Sequence, residues 1–135
     1  MGKRRALVVE DDPEIRRMLV SMLEARGFQA EQALDLLGAF TAWRHSRAKA
    51  EPYALVVTDN GLPNLPGEGP RPNAEQVAGL FSSERVAVFS GDVPPEGWPI
   101  LMRPWVRKPY VAQLTAWVDQ QVAELDAESE AVARG

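Results

Sequence analysis

The chain has 135 residues, with 15 Lys and Arg against 19 Asp and Glu, a formal net charge of −4, no cysteine and one histidine. That length suits one domain with a core able to stand without staples. The missing cysteines exclude a disulfide framework, a cysteine zinc site and a thiol nucleophile, a lone His45 excludes a multi-histidine metal site, and a mildly acidic balance is a poor basis for binding nucleic acid through the net field.

The basic start (Lys3, Arg4, Arg5) precedes an apolar run of only Ala6–Val9, shorter than the roughly 7–15 residues of a signal peptide core. No stretch approaches the roughly 18–20 apolar residues of a membrane span. The expected setting is cytoplasmic.

Ala6–Val9 reads as a strand buried on both faces. The period then changes. Ile15, Met18, Leu19, Met22 and Leu23 fall on one helix face, with Asp12 as N-cap, Pro13 at the first helical position and Gly27 as terminator. Phe28–Ala33 is a weaker strand candidate. A second helix is predicted over about Asp35 to Lys49, with Leu36, Leu37, Phe40 and Trp43 inward and His45 at the surface. Ala54–Thr58 is another buried strand, ending directly at Asp59.

The segment Asn60 to Pro72 is rich in glycine and proline and is predicted as loop. A short helix over Asn73 to Ser82 follows, then a strand at Val86–Phe89 closed by Ser90-Gly91. Pro94, Pro95 and Pro99 leave no room for a regular helix after it. Trp98, in this proline-rich loop, is a candidate partner anchor. Ile100–Met102 and Trp105–Val106 are short apolar runs broken by Pro104. The last helix is predicted from about Pro109 or Tyr110 to Glu128, with Leu114, Trp117, Val118, Val122 and Leu125 inward. The expected division is one domain over residues 1–126 and a fraying tail over 127–135.

Strands alternating with helices imply a doubly wound α/β fold with a parallel sheet. Ligand sites in such sheets lie outside the carboxyl ends of the strands. Those ends carry Glu10, Asp11 and Asp12, then Asp59, then Ser90, with Arg103, Arg107 and Lys108 near the last strand. Taken singly, each has an ordinary explanation: Asp12 as a helix cap, Asp59 as a turn former, Lys108 as a surface lysine. Together they crowd carboxylates that repel unless a cation or protons compensate. A hard divalent ion such as Mg2+, bound by one or two carboxylates and keeping its waters, fits that need. A carboxylate at its centre could act as a nucleophile toward phosphorus.

Val8-Val9-Glu10-Asp11-Asp12, Val57-Thr58-Asp59-Asn60-Gly61-Leu62-Pro63, Ser90-Gly91 and Lys108-Pro109 resemble the response-regulator receiver domain of two-component signalling, of the chemotaxis-regulator type. The resemblance spans about residues 5–126. It implies a flavodoxin-like, five-stranded parallel sheet in which the helix between strands 4 and 5 is here shortened or absent. It further implies that Asp59 is the phosphoacceptor. Glu10, Asp11, Asp59 and the Gly61 backbone carbonyl would hold Mg2+, Ser90 would be the switch hydroxyl, Lys108 would pair with the phosphate, and Trp105 would stand at the switch-aromatic position. A second register puts Arg103 in the lysine's place, and Trp105 then loses that role.

The implied partners are a histidine kinase or phosphotransfer protein and a downstream protein target. A homodimer is one option, with neither membrane nor direct nucleic-acid contact. The chain is expected to be a phosphorelay signalling phosphoprotein and not an enzyme. The alternative is an atypical receiver, a phosphorylation-independent adaptor that binds partners constitutively. Its motivation is the lost crossover helix. A hydrolase with an aspartate nucleophile ranks below both, because Gly61 stands where a general-acid aspartate would follow Asp59.

Overall fold

The computed structural model describes residues 3–135; the first two residues of the predicted domain lie outside them. The order of elements is β1 (Arg4–Val9), α1 (Pro13–Glu24), β2 (Phe28–Ala33), α2 (Leu36–Lys49), β3 (Leu55–Thr58), β4 (Gly61–Pro63), β5 (Pro70–Pro72), α3 (Ala74–Leu80), β6 (Arg85–Ser90), β7 (Trp105–Arg107) and α4 (Val111–Arg134). Five strands form one parallel sheet in the order β2-β1-β3-β6-β7. Helices cover both faces, as the doubly wound pattern requires. Among the described residues no helix lies between β6 and β7, in agreement with the prolines of that segment.

The central strands are apolar because both of their faces are covered. Ala6 and Val8 of β1, Val57 of β3, Ala87 and Phe89 of β6 and Val106 of β7 pack with Leu19, Met22 and Leu23 of α1 and Leu114 and Val118 of α4. On the other face Leu7, Val9, Val56 and Val86 pack with Ala39, Val77, Ala78 and Phe81. The side chain of Asp12 accepts hydrogen bonds from the Glu14 and Ile15 amides, so it caps α1 as predicted. Gly27, at φ +88°, makes the left-handed turn into β2 that a side chain would strain.

Four sequence expectations need correction. In α2 the inward side is lined by Ala39 and Ser46, with Leu36 and Trp43 partly covered, while Leu37 and Phe40 remain 44% and 40% exposed. Small residues let this helix lie close to the sheet. Even Gly38 is crowded, since a Cβ there would stand 3.1 Å from Asp35 Oδ1 and 3.3 Å from Ala33 Cβ.

The segment read as loop after Asp59 contains an antiparallel hairpin, with Gly61 opposite Pro72, Leu62 opposite Arg71 and Pro63 opposite Pro70. Prolines are tolerated there because the pair forms its own two-stranded sheet with open edges. Ile100–Met102 is turn and not strand, and all three side chains are exposed. Finally, α4 continues to Arg134 instead of ending near Glu128. Its last turns are held to the body by Arg4 on Asp126 (2.8 Å) and Arg85 on Glu128 (2.8 Å).

The crossover between β6 and β7 packs through Trp98. Its indole meets that of Trp105 edge to face at 5.1 Å between centroids, and its Nε1 donates to the Arg103 carbonyl at 2.7 Å. Trp98 therefore plugs the crossover against β7 while staying partly exposed.

Candidate functional site

Four of the five sheet strands deliver polar groups as their apolar runs end. Residues Glu10 and Asp11 follow β1, Asp59 follows β3, Ser90 closes β6 and Lys108 follows β7. Because the strands are parallel and in register, with Val9 beside Thr58 and Thr58 beside Val88, these groups gather at one edge. One oxygen from each of Glu10, Asp11 and Asp59 lies within 4.8 Å of the others. Lys108 Nζ sits among them, 2.9 Å from Glu10 Oε1 and 3.3 Å from Asp59 Oδ2.

At such spacing each pair of ionised carboxylates costs about 3–4 kcal/mol at an effective dielectric near 20. One lysine offsets only part of this. Glu10 carries the consequence. Its side chain is 1% exposed. Burial, with the Asp59 charge adding to it, pushes its pKa up to about 7 against the opposing pull of Lys108. Burial alone would lower the pKa of Lys108, yet the contacts to Glu10 and Asp59 outweigh it and hold the ammonium above its ordinary range. The cluster is thus an oxygen-rich, electron-rich pocket with one fixed ammonium. Its donors are all carboxylates, the set that a hard divalent cation prefers.

Asp59 is held on two sides. Its Oδ1 accepts from the Asn60 amide at 2.7 Å, and its Oδ2 faces Lys108. It opens into a cleft of about 420 Å3, which it lines with Gly61, Pro70, Arg71, Pro72, Ser90, Gly91 and Asp92. Ser90 Oγ accepts from the Asp92 amide at 3.1 Å, so its own proton remains free to donate. Trp105 is nearly buried and its Nε1 donates to the Asp92 carbonyl at 2.9 Å.

All the predicted site residues except Trp105 thus meet at this edge, and Trp105 joins it through Asp92. Arg103 does not meet it. Its Nη2 donates to the Phe81 and Ser82 carbonyls at 3.3 and 3.0 Å, near the end of α3. The residue that β7 delivers to the carboxylates is Lys108.

Sequence reasoning missed two polar residues. Asn60 Oδ1 accepts from the Ala74 amide at 3.0 Å and its Nδ2 donates to Asp92 Oδ2 at 3.0 Å. One buried amide thereby ties the site's floor to the start of α3 and to the loop after β6. Asp92 is the junction that touches Ser90, Asn60 and Trp105 together. The available signal was position alone: each lies within two residues of a residue already singled out.

No protein-family model matches the chain. A CheY-like receiver domain from Methanospirillum hungatei JF-1 superposes with a TM-score of 0.68, covering 94% of this chain and 99% of that one at 20% identity. The response regulator TrrA from Thermotoga maritima, solved in complex with Mg2+-BeF, gives 0.63 over 87% of this chain and 98% of its own at 20% identity. The fold is that of a response-regulator receiver domain. Among curated proteins, the response regulator receiver protein CpdR of Brucella abortus (strain 2308) is 33% identical over 64 residues, which are 47% of this chain. The chain spans about half the length of that relative, 49%. Within this receiver fold the acidic cluster, Ser90 and Lys108 occupy the carboxyl edge of the sheet, where ligands bind in open α/β sheets.

Proposed function

We propose that the chain is the phosphoacceptor receiver of a two-component phosphorelay, in which Asp59 takes a phosphoryl group from the phosphohistidine of a histidine kinase or phosphotransfer protein. The observation that carries the reading is the placement of Asp59. It is fixed between the Asn60 amide and Lys108, beside two further carboxylates, and open to a cleft that also holds Ser90.

Glu10, Asp11, Asp59 and the Gly61 carbonyl are the groups that would hold Mg2+, and the all-oxygen donor set fits it. The chemistry supplied by the bound ion is charge neutralisation on the carboxylates and on phosphoryl oxygens. The chain's own groups do the rest. Asp59 presents a carboxylate oxygen to phosphorus while the Asn60 amide fixes its orientation. Lys108 is already within reach of Asp59 and can follow the new negative charge. The free proton of Ser90 can be donated to a phosphoryl oxygen.

That movement draws Ser90 from the Asp92 amide, and Asp92 holds Trp105. The signal thus passes from the site to the β7 face and biases a pre-existing equilibrium there. In this reading the chain is a cytoplasmic signalling protein, not an enzyme, and its output is a protein-binding surface.

The crossover without a helix favours a second reading, a constitutive adaptor, since a receiver's moving surface is here rebuilt around Trp98. One experiment separates the two. The protein is incubated with Mg2+ and acetyl phosphate, and intact mass and tryptophan fluorescence are read for wild type and Asp59→Asn. One added phosphoryl group with a fluorescence change, both absent in Asp59→Asn, supports the phosphoacceptor. No change in either protein refutes it and favours the adaptor.

A further inference from the structure

The hairpin after Asp59 brings a second cation to the cleft. β5 folds back on β4 so that Arg71 lies opposite Leu62, and Arg71 lines the same cleft as Asp59 and Ser90. Among the described residues Arg71 enters no ion pair. The other cation of the site, Lys108, is already engaged by Glu10 and Asp59.

The arm carrying Arg71 is stiff. Pro70 and Pro72 flank it, each with its φ angle locked by the ring. The return strand is fastened at the residue next to Asp59: the Asn73 amide donates to the Asn60 carbonyl at 3.0 Å, and Asn73 Nδ2 donates to the Leu62 carbonyl at 2.8 Å. A guanidinium presents paired N–H groups matched to phosphoryl oxygens. Asp92, also lining the cleft, adds negative charge that an incoming phosphoryl group must overcome.

We propose that Arg71 is a phosphoryl-contact residue, whose guanidinium, carried on the wall of the Asp59 cleft, binds the non-bridging oxygens of the donor phosphoryl group and of the aspartyl phosphate. This rests on the phosphoacceptor reading. With acetyl phosphate the step is balanced without a proton. The Asp59 carboxylate oxygen forms the new bond to phosphorus, the bond from phosphorus to the acetyl oxygen breaks, and acetate leaves with the electron pair. Arg71 takes no part in bond making; it binds the group in flight and after transfer.

The test compares wild type, Arg71→Ala, Arg71→Lys and, as a charge control on the far side of α2, Arg44→Ala. The readouts are Mg2+-dependent loading by acetyl phosphate, followed by intact mass over a range of donor concentrations, and beryllofluoride binding, followed by tryptophan fluorescence. A charge-assisted contact of this kind predicts that Arg71→Ala weakens beryllofluoride binding about tenfold or more. It also predicts a matching rise in the donor concentration for half-maximal loading. Thermal melting is unchanged and the affinity for Mg2+ alone stays within twofold of wild type, Arg71→Lys recovers part of the loss, and Arg44→Ala behaves as wild type. Equal beryllofluoride affinity and equal donor dependence in wild type and Arg71→Ala overturn the proposal while leaving the phosphoacceptor reading intact. Equal losses in Arg71→Ala and Arg44→Ala overturn it in favour of a net-charge effect. Failure of wild type to load at all overturns the underlying reading and this inference with it.

Discussion

Lowering the pH should strip a divalent cation from the site through Glu10. The carboxyl of Glu10 is buried, faces Asp59, and titrates near 7 instead of its ordinary 4.5 in the absence of an ion. A carboxylate must lose its proton to bind a cation, so metal and proton compete. With a pKa near 7, the apparent affinity is close to its plateau at pH 8. It falls by a factor of 1 + 10^(7 − pH) below that, roughly 30-fold by pH 5.5. Each ion bound at pH 6 should displace about 0.9 proton.

The stability of the metal-free protein should respond with the opposite slope. A carboxyl whose folded pKa is raised binds more protons folded than unfolded between about 4.5 and 7, so stability falls as pH rises through that window. Lys108, whose pKa is raised, stays fully charged throughout it and contributes a constant. Titration calorimetry with Mg2+ in two buffers of different ionisation enthalpy measures the proton count, and thermal melting with and without Mg2+ measures the stability slope. In Glu10→Gln the affinity should be lower at pH 8 and nearly flat down to pH 6. A flat wild-type affinity from pH 8 to 5.5, or the same slope in Glu10→Gln, would refute the assignment of the raised carboxyl.

Three further outcomes follow from the packing. Asn60→Ala leaves the Ala74 amide and Asp92 Oδ2 without their partner and should cost about 1–3 kcal/mol in urea denaturation; a loss below about 0.5 kcal/mol would show that water replaces it freely. Phe81→Ala opens a cavity in the fully buried cluster against Tyr53, whose ring it meets at 5.9 Å, and should cost about 3–5 kcal/mol by the same measurement. Trp98→Ala removes the contact with Trp105 and the hydrogen bond to Arg103; amide exchange over residues 91–104 should quicken while β1 and β3 keep their protection, and unchanged exchange would refute the plug.

The parts of the molecule that were legible in the sequence are those where one residue type has one physical use. A run of four apolar residues, partly β-branched and ending at acids, is too short for a helix and suits a strand covered on both faces; Ala6–Val9 of β1 is such a run, and Leu55–Val57 of β3, closed by Thr58 and Asp59, is its neighbour. Asp12-Pro13 has one good place, a helix start. α2 was harder, because large apolar residues usually mark the buried face. Here the close face belongs to Ala39 and Ser46, and the bulk of Leu37 and Phe40 is turned out.

The hairpin left no trace in composition. Its strands are mostly Gly and Pro, and beyond their own pairing they are held by the Asn73 side chain on the Leu62 carbonyl, while the Asn60 side chain fixes Ala74 just after the hairpin. The extension of α4 did leave a trace. The run Ala123–Arg134 is rich in Ala and Glu, both strong helix formers, and its small polar character masked that. At the site, the carboxylates and Lys108 were readable as strand-end groups. Asn60 and Asp92 lie in loops and Arg71 in a three-residue strand, segments too short for any periodicity to single a residue out.

The missing crossover helix shifts where a switch could operate. Under the phosphoacceptor reading, the path from Ser90 to Trp105 runs through a single residue, Asp92, whose amide serves the one and whose carbonyl serves the other. Driving a two-state equilibrium from 1:99 to 99:1 takes about 5.5 kcal/mol of differential binding. Two new hydrogen bonds to a charged phosphoryl group, from Ser90 and Lys108, supply about 3–6 kcal/mol together. That covers the rotation of a short turn and one indole. It leaves little for unpacking Trp98, which is anchored at both its ring and its nitrogen. A switch in this chain would therefore be local, confined to residues 90–92 and Trp105, with the Trp98 plug unmoved.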